Sequence, residues 1–257
     1  RMGDLAVRRD GLDEAAQAYA QALPLFRDIG ARLGEANCLK SMGDLAVRRD
    51  GLDEAAQAYA QALPLFRHIG DRLGEANCLR SRARLLLQTG ANIDAFNAFL
   101  EVKNLQEKIG DNFGLQGTLG YLAQTARAAG AVDQALVLAE TSLNLGRRVA
   151  DRFGQLINLD LQIRLLLGGE QVVGALAAAC LHRDLAIAIA DHAEAQTFAP
   201  LIDGVKKDLP EQAWQEIQDG AEAIRAEAIA AAAARLQERG IDPLQPPQPA
   251  PPETDTH

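Results

Sequence analysis

RMGDLAVRRDGLDEAAQAYAQALPLFRDIGARLGEANCLK (1–40) is followed at once by SMGDLAVRRDGLDEAAQAYAQALPLFRHIGDRLGEANCLR (41–80). The two stretches differ only at Arg1/Ser41, Asp28/His68, Ala31/Asp71 and Lys40/Arg80, so 36 of 40 positions are identical. A period of this length marks an array of small supersecondary units, none able to bury its apolar face alone. The register continues in weaker form: IGDRLGEA (69–76) returns as IGDNFGLQ (109–116), VADRFGQL (149–156) and IADHAEAQ (189–196). Five periods therefore reach residue 200 without an insertion.

Within one period the apolar residues follow helical spacing twice. A first helix is predicted over about 74–89, with Ala76, Leu79, Ala83, Leu86 and Leu87 on its inner stripe. Its partner, the second helix of a pair, is predicted over about 53–69, with Ala55, Tyr59, Ala62, Leu63 and Phe66 inward. Asp71, Asp111, Asp151 and Asp191 stand where first helices begin, and an Asp there can accept from the exposed amides of the first turn. Gly70 and Gly110 precede two of them and suit the left-handed residue that ends a helix. Pro24 and Pro64 fall inside second helices, which predicts a kink at a solvent-facing site where a freed carbonyl can reach water. Antiparallel helix pairs at a fixed period stack into a solenoid. The expected fold class is therefore all-α.

SMGDLAVRRDGLDEAAQAYAQAL (41–63) resembles the tetratricopeptide consensus, with Gly43 at its close-packing glycine, Ala55 at its small residue, Tyr59 at its aromatic, and Ala62 and Leu63 in its second helix. The forty-residue period is similar to the long subclass of that family. Ala46 departs from it, since the family has a large aromatic there. The resemblance implies a right-handed superhelical solenoid that works by binding proteins or peptides rather than by catalysis.

The expected organisation is a repeat array over 1–207, capping helices over 208–240 and a Pro-rich disordered tail over 241–257. Arg1 aligns with Ser41 in mid-helix, which predicts a truncated first repeat and a fragment of a longer array. Asp208 and Pro210 read as a helix start, and AEAIRAEAIAAAAARLQERG (221–240) as a strong helix former stopped by Gly240 and Pro243. The tail holds six prolines, among them Pro246 and Pro249 in a PxxP.

Composition and motifs argue against other classes. A net charge of −9 disfavours a general nucleic-acid or anionic-membrane binder, and no apolar run approaches a membrane span. Cys38, Cys78 and Cys180 form no CxxC and read as small buried residues, consistent with a reducing, cytoplasmic setting. No phosphate loop, HExxH or nucleophile elbow occurs, and His68, His182, His192 and His257 lie apart; neither enzyme activity, a metal nor a cofactor is expected.

In tetratricopeptide arrays the first helices line the concave surface where a partner peptide lies. Carried over by alignment, that surface here comprises Asp4, Val7, Arg8, Asn37, Lys40, Asp44, Val47, Arg48, Asn77, Arg80, Arg84, Leu87, Gln88, Gln124, Arg127, Asp160 and Arg164. Seven are basic and three acidic, a positive bias inside an acidic chain. The ligand this implies is a protein or peptide with an acidic segment. Lys40 is followed by Asp44 and Arg80 by Arg84, so the family's carboxylate clamp of Lys and Asn four residues apart is not met. The alternative reading is a self-associating structural spacer without a peptide ligand.

Overall fold

The computed structural model describes residues 2–248, and residues 2–10 by their backbone. Helices run in the order α1 (Met2–Asp28), α2 (Arg32–Arg48), α3 (Leu52–Ile69), α4 (Arg72–Gln88), α5 (Asn92–Ile109), α6 (Asn112–Ala128), α7 (Val132–Arg148), α8 (Arg152–Gly168), α9 (Val172–Ala188), α10 (His192–Ala195), α11 (Ala199–Lys206), α12 (Glu211–Asp219) and α13 (Ala221–Glu238). No strand occurs among the described residues.

From α2 to α10 each helix begins 20 residues after the last, half the sequence period. A residue with positive φ closes every turn, from Gly30, Asp50 and Gly70 through to Ala150, Glu170 and Ala190. Gly70 (φ 73°) reverses the chain at no steric cost, and Asp71 then caps α4 by accepting from the Gly74 amide at 2.9 Å. Asp151 and Asp191 repeat that cap on the amides of Gly154 and Glu194, at 3.0 Å each.

The chain forms two compact units, 1–111 and 112–257. In the first, α1 to α5 pack neighbour against neighbour, and the first helices α2 and α4 also touch. Its core joins Leu39, Tyr59, Ala62, Phe66, Leu79, Leu85 and Val102. Ala55, Tyr59, Ala62, Leu63 and Phe66 are all buried, as the helical stripe predicts, while Leu86 and Leu87 are only half-buried and Leu85 takes the deeper place. Tyr59 lies flat on Gly43: a Cβ there would come 2.6 Å from the ring, so only glycine lets α2 approach α3 this closely. Pro64 and Pro24 are exposed inside unbroken helices, and exposed Ala60 leaves the carbonyl that Pro64 cannot serve open to water.

In the second unit α6 to α9 pack in the same sequence, with the first helices α6 and α8 in contact. The twenty-residue register ends at α10, which is one turn long. Here α13 does not stack as another rung; it lies along the second helices α7 and α9. Ile163, Leu176, Ile202 and Trp214 form the core beneath this return.

Three expectations need correction. Residues 2–28 form one continuous helix, so the first copy contains no turn where one was implied near residue 10. Asp208 is not a cap: α12 starts at Glu211 with Pro210 as its N-cap residue. Residues 241–248 are also not free tail, because Pro247 is buried and the Gln134 amide donates to the carbonyls of Pro243 and Gln245 at 2.8 and 2.6 Å. Residues 249–257, with Pro249 of the PxxP, lie outside the described residues.

Candidate peptide-binding surface

The first-helix face of unit 1 is built from α2 and α4. Lys40, Asp44 and Arg48 follow one another at four-residue spacing along α2, and Arg80, Arg84 and Gln88 hold the same register on α4. The structure therefore sets these six, and Asn77 three residues before Arg80, on two touching helices. Gln124 (half-buried) and Arg127 (exposed) lie on α6 in unit 2, and the side chain of Arg8, like those of Asp4 and Val7, lies outside the described residues.

The seven are not equivalent. Asp44 Oδ2 accepts from the Lys40 ammonium at 2.6 Å, and its Oδ1 accepts from the Tyr59 hydroxyl at 2.8 Å and from Ser81 Oγ at 3.0 Å. Burial pushes the Asp44 carboxyl up, but the bonds from Lys40 and Tyr59 outweigh it and hold the group below the usual carboxylate range. Burial, and then the Asp44 carboxylate, push the Tyr59 phenol well up. This knot joins α2, α3 and α4, so Lys40 and Asp44 serve the packing of the repeat and cancel each other in charge.

Arg80 donates instead to the neutral Asn77 Oδ1 at 2.9 Å, so that contact leaves its positive charge in place. Arg84 and Arg48 are exposed. Besides Lys40, the basic side chains of the face are Arg48, Arg80 and Arg84, inside a unit whose charges nearly balance: residues 1–111 hold 15 basic and 16 acidic side chains. Residues 112–257 hold 11 against 19. On the corresponding face of unit 2, Gly117 and Gly120 stand at the registers of Asn77 and Arg80, and Arg164 is forked onto Asp160 at 2.8 and 2.9 Å.

Two buried ionic arrangements escaped the sequence reading. In unit 1, Glu35 and Glu75 are buried at equivalent turns, each gripped by two arginines: Arg27 (2.9 Å) and Arg32 (3.2 Å), then Arg67 (2.8 Å) and Arg72 (2.9 Å). In unit 2, Arg225 of α13 is wholly buried and donates to Glu140, to Gln162 Oε1 at 2.9 Å and to Glu222 at 2.7 Å. Burial raises the Glu140 carboxyl, and the Arg225 guanidinium more than reverses this. Arg235 grips Asp133 nearby, at 2.6 Å. The first arrangement has a sequence signal, since Arg27, Arg32 and Glu35 recur forty residues on; the second pairs residues 85 apart, with none.

Cys38, Cys78 and Cys180 are free and buried, and burial pushes each thiol up, away from the reactive thiolate. Among the described residues no helix is long and apolar enough to cross a membrane. Compared with known proteins, the chain matches no family model and no curated protein.

Proposed function

We propose that this chain is a non-catalytic, cytoplasmic binding module, a tetratricopeptide-type solenoid with the right-handed coil of that family, which takes up an acidic peptide segment along the first helices of residues 1–111. The observation that carries this reading is the placement of Arg48, Arg80 and Arg84 on two touching first helices, with the neighbouring Lys40–Asp44 pair neutralised internally. Guanidinium groups suit this role because each can fork onto a carboxylate.

Fluorescence anisotropy with labelled Glu/Asp-rich twelve-residue peptides, and Lys-rich peptides of equal length as controls, tests it. Acidic peptides bind more tightly, the affinity falls as salt is raised, and Arg80→Glu with Arg84→Glu abolishes it. Equal binding of acidic and basic peptides, or binding indifferent to the double substitution, removes this face from the account.

A further inference from the structure

Residues 2–27 and 42–67 are identical, yet the chain folds them differently. In the second copy, the end of α2 turns at Arg49–Gly51, with Asp50 at φ 60°, and lies back across α3. Gly43 and Asp44 then cover Tyr59, which is 1% exposed and hydrogen-bonded to Asp44 at 2.8 Å. In the first copy the same Arg-Arg-Asp-Gly sequence is helical, and the segment bearing Gly3 and Asp4 continues α1 away from Tyr19.

Two contacts of the next layer recur in both copies. Cys38 Sγ donates to the Tyr19 carbonyl as Cys78 Sγ does to that of Tyr59, at 3.3 and 3.7 Å, and Arg27–Glu35 matches Arg67–Glu75. The two apolar faces differ in burial. Ala15, Tyr19, Ala22, Leu23 and Phe26 are half-buried where their counterparts Ala55, Tyr59, Ala62, Leu63 and Phe66 are buried. The molecule therefore shows both the apolar face and, one repeat later, the segment that fits it.

We propose that two copies of this chain exchange residues 2–8, each laying its Met-Gly-Asp-Leu-Ala-Val-Arg segment over the Tyr19 face of the other. The register of copy two transfers directly: Gly43 against Tyr59 becomes Gly3 of one chain against Tyr19 of the second. Two straight α1 helices then cross antiparallel about a twofold axis close to Gly11. The contacts equal those of the intramolecular hairpin, so exchange forms no new chemistry and saves the left-handed residue that the turn demands. A swap of this kind is closed and stops at two chains. The proposal is independent of the peptide surface, because α1 carries none of Arg48, Arg80 or Arg84.

The test is sedimentation equilibrium of the whole chain over a wide concentration range, with hinge variants and far-ultraviolet circular dichroism as the check on folding. The wild type dimerises. Gly11→Ala keeps the dimer, because alanine favours the straight helix on which the exchange depends. Asp10→Gly frees the left-handed turn, lets each chain close on itself and yields monomer with unchanged helix content. Tyr19→Ala loses the dimer, and Asp50→Gly, the same change at the closed hinge, leaves it unaltered. A wild type that stays monomeric, growth beyond two chains, or a dimer that responds alike to Asp10→Gly and Asp50→Gly overturns the proposal.

Discussion

The two copies of Met-Gly-Asp-Leu-Ala-Val-Arg-Arg-Asp-Gly, at 2–11 and 42–51, are a controlled comparison supplied by the molecule itself. One is straight helix and the other is helix followed by turn. Local propensity is identical, so the turn is not a local event. Copy two gains what copy one lacks: a hairpin that buries Tyr59, seats its ring on Gly43 and closes the Asp44–Tyr59–Ser81 knot onto α4. Those tertiary gains offset a left-handed Asp50, a conformation costing about 1 kcal/mol. Where no hairpin forms, the helix runs on through the same residues.

The comparison breaks most visibly at the tyrosines. Tyr59→Ala removes a buried ring and the hydroxyl that donates to Asp44, and should cost about 4 kcal/mol in urea denaturation. Tyr19→Ala, at a half-buried site in the same sequence, should cost less than half as much when measured at a concentration where the chain is monomeric. Equal losses would mean that the two faces are equally covered, and the difference between the copies would disappear.

Much of this was legible in the sequence and some was not, for reasons that separate cleanly. The helix pairs, their inner stripes, the glycine turns and the Asp71, Asp151 and Asp191 caps follow from residues close in sequence, and the forty-residue repeat gives several independent sightings of each. The alignment also selected Lys40, Asp44, Arg80 and Arg84, which lie on the touching helices α2 and α4. It could not show that Lys40 is spent on Asp44, because Asp44 acts through Tyr59 and Ser81, residues 15 and 37 positions away on other helices. The return of α13 onto α7 and α9 was invisible for the same reason: Ala-rich helices advertise propensity and not direction, and the partners of Arg225 stand far upstream. The straight α1 is the sharpest failure, since a turn seen once in an identical sequence is the natural expectation for both.

A smaller effect sharpens the role of the knot. Asp44→Ala leaves the Tyr59 hydroxyl and Ser81 without their shared acceptor and should cost about 2 kcal/mol. Acidity should act at the same place. The Asp44 carboxyl titrates lower in the folded chain than the usual unfolded value of about 3.9, so its contribution is complete above that pH and is lost as pH falls through the folded value. Denaturation midpoints followed from pH 5 downward (roughly the start of that window) should fall more steeply in the wild type than in Asp44→Asn. Parallel pH profiles would show that the carboxylate is not what ties α2 to α3 and α4.

The smallest effect is the most discriminating, because it predicts opposite signs from one substitution at two identical sequences. Glycine adopts the left-handed region without steric penalty, so Asp50→Gly should stabilise the chain, by about 0.5 kcal/mol after the greater freedom it gives the unfolded state. Asp10→Gly, measured where the chain is monomeric, should weaken the straight form of α1 by a similar amount, about 0.5 kcal/mol, and so favour the closed hairpin over it. Amide hydrogen exchange distinguishes those outcomes: a closed hairpin slows exchange across α1 around Tyr19 toward the rates seen around Tyr59, whereas a weakened straight helix speeds it. If both substitutions shift stability the same way with no change in exchange around Tyr19, then the two copies share one backbone in solution, and packing, rather than the hinge, sets the difference in their burial.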